Sequence, residues 1–378
     1  MKKNAGKFKK IFSNIVFQLI LLAFASWVIF PVLWGISTSL RTFEGIYQIS
    51  EQANSQETIA DPAAPVSVGA RIVNRIKSTL HLIRSLVPPS PIQWSNYREA
   101  WKQGNFNKYF LNSFFYMVTV VFFMLLFSSM AAYAFARLRF PGKEFIFYLF
   151  LASLVMPLPT IFITVYLLLQ NFPIYLFVIL IIIASLLIVT AGSIRRIMFF
   201  LLGTLLTAGA AYAFVSSTNP AEPRKLMELI LSKINLLDTR TGYILPQIAS
   251  GLPYTIFLMR SFFEAIPVDL EDAARIDGCS RLGIYFRIIL PLSRPILAVT
   301  GIFGALSVWK EFLFAVVVFS DSTKMPIQAG LLAFQGTYKT QWNYLMAGVI
   351  ITVIPVIVVY LLLQKHVISG LTAGAVKG

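Results

Sequence analysis

Long uncharged, apolar runs alternate with short basic clusters along most of this chain. A helix rises 1.5 Å per residue and the hydrocarbon core of a bilayer is about 30 Å thick, so about 20 uncharged residues suffice for one span. Eight runs predict eight membrane-spanning helices, two of them within the uncharged stretch 145–194, which divides best at 170–173. The other six lie at 11–40, 109–136, 197–217, 241–259, 295–320 and 340–364.

Composition supports a membrane protein. Of the 378 residues, 57% are hydrophobic and only 13% are charged, whereas soluble domains carry about 25% charged residues. The fold class predicted is therefore all-α, a polytopic transmembrane helical bundle of about eight spans. One cysteine and two histidines exclude an internal disulfide and the common zinc motifs, so no metal site and no catalytic residue is predicted.

The net charge of +16 is distributed around the apolar runs and forms no single basic patch. We therefore expect no nucleic-acid partner, and we read the basic clusters as orientation signals. Clusters at 2–10, 137–143, 195–196 and 260–294 fall on one side, which the positive-inside rule assigns to the cytoplasm. Both termini are then cytoplasmic.

This topology predicts an organisation in six parts. They are a cytoplasmic N-terminus with the first span (1–40), an external loop (41–108), spans two and three (109–171), an inserted transmembrane hairpin with an external loop (172–240), a core region (241–364) containing a polar cytoplasmic loop (264–293), and a cytoplasmic tail (365–378).

The polar loop 264–293, called the EAA segment below, has the pattern of two short helices. Asp269 is a plausible N-cap for a helix over about 270–277, and Gly278 supplies the left-handed turn that ends it. Ser280 can cap a second amphipathic helix, which Pro291 is expected to stop. The pattern alone is also compatible with an ordinary amphipathic helix lying at the membrane interface.

The spacing of residues in this segment resembles the EAA loop of permease subunits of binding-protein-dependent ABC importers. The matching positions are Asp272, Ala273, Ala274, Asp277, Gly278, Ile288, Leu290 and Pro291. Asp272 stands where the family usually has Glu, with Glu271 beside it. Further motifs resemble the maltose-transporter MalG type: 96–97, 110–113, 234–239, 309–312 and 369–374.

The resemblance implies a sugar importer built from two different permeases, an ABC ATPase dimer and an extracytoplasmic solute-binding protein, in the lipid bilayer of a bacterial or archaeal cell membrane. Its EAA loop would couple to the ATPase through Glu271, Asp272, Ala273, Ala274, Asp277, Gly278, Leu290 and Pro291. The chain has no GxxxxGK[ST] loop. No cofactor is therefore expected here, with ATP and magnesium on the partner ATPase, and the chain itself is expected to be no enzyme.

Four residues are candidates for the translocation path. Pro157 and Pro159 should kink the third span, while Lys310 and Glu311 are charges inside the seventh. Purely structural roles, a packing bend and pairing with another helix, remain open for them. Compared with six-span relatives, the hairpin at 172–217 is an insertion.

Two other function classes remain as alternatives. A secondary transporter or channel would need inverted repeats or chains of ionisable residues within the membrane. An intramembrane glycosyltransferase-type enzyme would need a clustered acidic or metal-binding site at a membrane face. The acidic residues that do cluster, at 271, 272 and 277, already fit the EAA pattern.

Overall fold

The computed structural model describes residues 2–47, 85–170, 235–336 and 339–375. Within these ranges the regular structure is helical and contains no strand, which confirms the all-α class. The predicted fourth and fifth spans lie outside the described residues, as does 48–84 of the first external loop.

Eleven helices in the described ranges are used below. They are α1 (Lys2–Ser39), α2 (Ser95–Gln103), α3 (Phe106–Arg137), α4 (Lys143–Ser153), α5 (Leu158–Gln170), α6 (Arg240–Glu264), α7 (Asp269–Ile276), α8 (Arg281–Leu292), α9 (Arg294–Trp309), α10 (Leu313–Val318) and α11 (Trp342–Ala375).

Among the described residues, three helical stretches are long and apolar enough to cross a membrane: Asn14–Ser39, Phe106–Arg137 and Trp342–Leu362. They confirm the first, second and eighth predicted spans. The pair α8 and α9 passes the same test together but is bent by 75°. The predicted sixth span is one continuous helix, α6, although Pro246 and Pro253 lie inside it.

Two predicted spans are interrupted. The third is two helices, because α4 ends at Ser153 and α5 begins at Leu158, so Pro157 lies at a break and Pro159 in the first turn of α5. Proline is tolerated in a first turn because its missing N–H has no helical partner there. In the seventh, α9 ends at Trp309, so the prediction that Lys310 and Glu311 lie inside a helix was wrong.

The contacts divide the chain into two units, Met1–Leu111 with Ile327–Gln364, and Asn112–Pro326 with Lys365–Gly378. In the first unit, Asn96 of α2 donates its amide hydrogens to the carbonyls of Ser39 and Arg41, at 2.8 and 2.7 Å. Ser39 and Tyr97 share a further hydrogen bond of 2.8 Å. These contacts hold α2 against the carboxyl end of α1.

The second unit has two apolar clusters, one toward each end of α3. The cluster near the carboxyl end joins α3, α4, α6, α7 and α8; its buried members include Phe135, Phe147, Met259, Phe263 and Ile289. The cluster near the amino end joins α3, α5, α6, α9 and α10; its members include Tyr116, Tyr243, Leu169, Phe314 and Phe319. Because α3 and α6 take part in both, they form the frame that positions the EAA segment.

A polar motif precedes α6. Asn235 accepts a hydrogen bond from the backbone of Leu237 at 2.8 Å, and Thr239 caps α6 by accepting from the N–H of Gly242 at 3.0 Å. Between them, Asp238 adopts a left-handed backbone with φ of +54°. Part of the sequence that carried the resemblance therefore has a local structural role: it ends a turn and starts a helix.

Candidate functional site

The EAA segment is a helix, a glycine turn and a second helix. Gly278 has a φ of +81°, which confirms the predicted left-handed turn after α7. Ser280 caps α8 as predicted, accepting a hydrogen bond from the N–H of Gly283 at 3.1 Å. The predicted N-cap at Asp269 was wrong, because Val268 occupies that position. Asp269 is the first helical residue, where its negative charge interacts favourably with the positive end of the helix dipole.

The second helix of the segment does not stop at Pro291. It passes through a π-helical turn, Tyr285–Ile289, and continues to Leu292 before the bend into α9. A proline and a π turn are both recognised causes of helix bending, and here they occur together. Ser293, at the bend, donates its hydroxyl to the carbonyl of Ile289 at 2.6 Å.

The two neighbouring carboxylates of α7 have opposite environments. Glu271 is 1% exposed, and its Oε1 lies 2.6 Å from Nε of Arg137 on α3. Tyr133 donates its hydroxyl to Oε2 of Glu271 at 3.5 Å. A buried ion pair of this kind costs about 3–5 kcal/mol when one partner is removed, since the other charge is left unpaired.

Asp272 points the other way. Its side chain is exposed and pairs with Arg275 at 2.9 Å within the same helix, a contact that contributes little because water screens it. The sequence predicted one role for Glu271 and Asp272 together. In the structure, Glu271 is buried and pairs with Arg137 of the same chain, whereas the Asp272 side chain is exposed and accessible to a partner.

Most other predicted coupling positions lie on the surface. Ala273, Asp277, Gly278 and Pro291 are exposed, Leu290 is half-buried and Ala274 is buried in the cluster at the carboxyl end of α3. Ile276 is 87% exposed. On α7 an exposed apolar side chain therefore lies beside the exposed carboxylates of Asp272 and Asp277.

The four candidate translocation residues lie at helix ends, and their role in a translocation path stays a prediction. Pro157 is exposed at the break between α4 and α5, and Lys310 is exposed directly after α9. Glu311 accepts a hydrogen bond from the N–H of Phe314 at 2.7 Å, in the first turn of α10. Glu311 therefore has a local structural use, a carboxylate stabilising a helix N-terminus.

Sequence reasoning missed Ser129 and Tyr133, and it treated Arg137 only as an orientation signal. All three contact the EAA segment. The available signal was their four-residue spacing, which places polar side chains on one face of an apolar helix.

The family of binding-protein-dependent transport system inner membrane components matches residues 124–372, which include α6 to α10 and the whole EAA segment. The chain belongs to this family. Its members are transport components of the membrane, in agreement with the apolar helices described above.

Several proteins with similar sequences are permeases, in agreement with this family. The chain is 30% identical to the probable ABC transporter permease protein YurM of Bacillus subtilis over 76% of each chain. It is 28% identical to the diacetylchitobiose uptake system permease protein NgcG of Streptomyces coelicolor, over 81% of this chain and 82% of that protein. The arabinooligosaccharides transport system permease protein AraQ of Halalkalibacterium halodurans is also 28% identical, over 78% and 84%.

A solved structure shares the fold. It is a bacterial ABC transporter involved in the import of the acidic polysaccharide alginate, and its matched chain aligns with a TM-score of 0.55 over 93% of this chain and 95% of its own. The sequence identity is 20%, so this likeness concerns the fold.

Proposed function

We propose that this chain is a permease subunit of an ABC importer that takes up a sugar or oligosaccharide by ATP-driven alternating access. The family, and the diacetylchitobiose and arabinooligosaccharide systems to which NgcG and AraQ belong, support the sugar class. The single observation that carries the coupling mechanism is the EAA segment. It presents Asp272, Ile276 and Asp277 outward while Glu271 is anchored inward.

The proposed assembly contains this chain, a second permease, an ABC ATPase dimer with ATP and magnesium, and an extracytoplasmic solute-binding protein. The EAA segment would face the cytoplasm, with both termini on the same side, because basic clusters flank it. Its exposed face would dock on the ATPase. ATPase closure would displace this segment and switch the bundle between outward and inward access.

Gly278 provides a sharp test of the coupling role. A Cβ at Gly278 would meet no atom within 4 Å, so the main cost expected for Gly278→Val is the strain of the left-handed backbone, at least about 1–2 kcal/mol. The chain reaches the membrane, but the turn that orients α7 against α8 is altered. In liposomes with cognate ATPase and binding protein, we expect sugar uptake to be lost while protein abundance is retained.

Gly142 is a matched control. Its φ is +75°, it lies at the N-cap of α4, and a Cβ there would also meet nothing within 4 Å. Gly142→Val therefore introduces a similar strain outside the EAA segment, and it should transport sugar nearly as the unmodified chain does. If Gly278→Val also transports normally, the coupling role is wrong. If both variants fail equally, backbone strain alone explains the loss.

A further inference from the structure

One face of α3 carries a polar stripe near its carboxyl end. Ser129, Tyr133 and Arg137 are spaced by four residues, and every other residue between 129 and 137 is apolar. Four-residue spacing places these three side chains above one another along the helix. In an apolar span, polar groups on one face need specific partners, because lipid offers none.

All three members of the stripe contact the EAA segment. Arg137 donates to the carbonyl of Ile266, before α7, and pairs with Glu271 within α7. Tyr133 also reaches Glu271. Ser129 shares a hydrogen bond of 2.7 Å with the hydroxyl of Tyr285 in α8. The stripe therefore holds both helices of the segment.

These contacts are largely buried, and Arg137 is the most exposed member of the stripe, with 10% of its side chain exposed. Ser129 and Glu271 are each 1% exposed, Tyr285 is 2% exposed, and the rings of Tyr133 and Tyr285 lie 5.4 Å apart. Buried polar contacts are directional, and breaking them leaves unsatisfied groups, so they permit one arrangement where purely apolar packing would permit sliding. A displacement of the segment must therefore move α3 with it.

The comparable contact to α4 differs. Arg260 of α6 binds Glu144 of α4 through two hydrogen bonds of 2.9 and 3.1 Å, but the Glu144 side chain is 53% exposed. Exposed pairs of this kind contribute little. This exposed pair joins α4 to α6 and includes no residue of the EAA segment, whereas all three members of the buried stripe on α3 contact that segment.

We propose that Ser129, Tyr133 and Arg137 are positioning residues that transmit the movement of the EAA segment to the transmembrane bundle through α3, with Glu271 as their anchor. This inference rests on the proposed function. It assigns Glu271 to force transmission within the permease, and it leaves Asp272 as the carboxylate available to the ATPase.

The decisive measurement is the number of sugar molecules imported per ATP hydrolysed by the reconstituted importer. The variants are Glu271→Gln, Tyr133→Phe and Ser129→Ala. We expect Glu271→Gln to lower this ratio by at least about tenfold, because neutralising Glu271 leaves the buried charge of Arg137 unpaired, while ATP hydrolysis continues. Tyr133→Phe and Ser129→Ala, which remove single hydroxyls, should lower the ratio in the same direction.

Matched controls exist for each change. Ser128→Ala and Tyr243→Phe remove buried hydroxyls that have no hydrogen-bond partner among the described residues. Glu144→Gln removes a carboxylate from the exposed pair with Arg260. All three should keep the ratio of the unmodified importer.

The outcomes distinguish failure of the proposed function from failure of the transmission role. An importer whose unmodified form shows no ATP-driven uptake rejects the proposed function. If the unmodified form transports, and the stripe variants lose uptake and ATP hydrolysis in parallel at an unchanged ratio, the transmission role is rejected while the proposed function stands. If Glu271→Gln does not assemble, the same ratio measured for Tyr133→Phe and Ser129→Ala still tests the transmission role.

Discussion

At the residue scale, Asp238 holds the turn before α6 to the loop after α10. Its Oδ1 accepts hydrogen bonds from the backbone of Ser320 and Asp321, at 3.2 and 3.1 Å, and Oδ2 lies 3.2 Å from Nζ of Lys324. Burial opposes ionisation of Asp238, but these hydrogen bonds outweigh it and hold the pKa of the carboxyl below its ordinary value. The hydrogen bond to Asp238 raises the pKa of Lys324.

The pH dependence of this contact follows from those two directions. A lowered carboxyl pKa contributes stability above the ordinary value of 3.8, and the contribution is lost as the pH falls through the lowered pKa. A raised lysine pKa contributes stability below 10.5, and it is lost as the pH rises through the raised pKa. The difference in melting temperature between the unmodified chain and Asp238→Asn should be constant between these limits.

Thermal unfolding followed by tryptophan fluorescence checks this expectation. The difference between the two proteins should shrink only in strong acid or strong base. A difference that titrates near neutral pH would show that another group controls the contact.

Some local features of the EAA segment, such as the turn at Gly278 and the cap at Ser280, could be predicted from sequence, whereas its contacts with distant residues could not. Gly278 and Ser280 act on their own turn or helix end, so the residue type is enough to predict the structure. The burial of Glu271 depends on Arg137 of α3, a helix far away in sequence. Nothing in the pair Glu271 and Asp272 shows which one faces inward, because both fit the same amphipathic pattern.

At the element scale, α3, α6 and α9 pack closely around Met124. A Cβ added at Gly251 of α6 would lie 2.5 Å from Sδ of Met124, and one added at Gly304 of α9 would overlap Cε of the same side chain. Small residues allow helix backbones to approach each other in membranes, and Met adapts to the remaining space. The three helices therefore share one contact point.

Gly304→Val should lower the free energy of unfolding by roughly 1–3 kcal/mol, because the added atoms overpack this contact. Met124→Ala in the same chain should recover part of that loss, giving a coupling of about 0.5–2 kcal/mol in a double-mutant cycle. Equilibrium unfolding in mixed micelles measures both values.

Gly301 of α9 is the matched control. A Cβ at Gly301 would meet Leu125 at 3.3 Å and does not approach Met124 within the contacts described. Met124→Ala should therefore leave the effect of Gly301→Val unchanged. Equal recovery at both glycines would contradict a shared contact at Met124.

Helix breaks show the limit of sequence prediction at this scale. Runs of uncharged residues predicted single third and seventh spans, but such a run does not show where a helix ends inside it, as at Ser153 or Trp309. In α6 the opposite happens, since Pro246 and Pro253 are carried inside one helix. Whether a proline ends a helix depends on the neighbours that satisfy the freed carbonyl groups.

At the scale of the whole molecule, the proposed topology requires the EAA segment to lie on the cytoplasmic side of the membrane. Cys279, which directly follows Gly278, is the only cysteine of the sequence and is half-buried. It is therefore a natural reporter that needs no background substitution.

A membrane-impermeant maleimide should label Cys279 in inside-out vesicles and leave it unlabelled in intact cells. Mass analysis of the purified chain reads out the modification. Ser322→Cys in a Cys279→Ser background provides the opposite control, because Ser322 is exposed in the loop after α10, which this topology places outside. Labelling of Cys279 in intact cells would show that the EAA segment lies outside the cell. A cytoplasmic ATPase could not contact it there, so the proposed topology would be wrong.

The buried pair between Arg137 and the EAA segment also has a consequence for biosynthesis. Ile266, whose carbonyl Arg137 binds, is made 129 residues after it, which corresponds to roughly 6–26 seconds at about 5–20 residues per second. During that interval the guanidinium lacks these two partners, and in the proposed topology it would serve as a topogenic charge that retains its end of α3 on the ribosome side. Arg137 would thus first guide membrane insertion and later bind the EAA segment in the folded subunit.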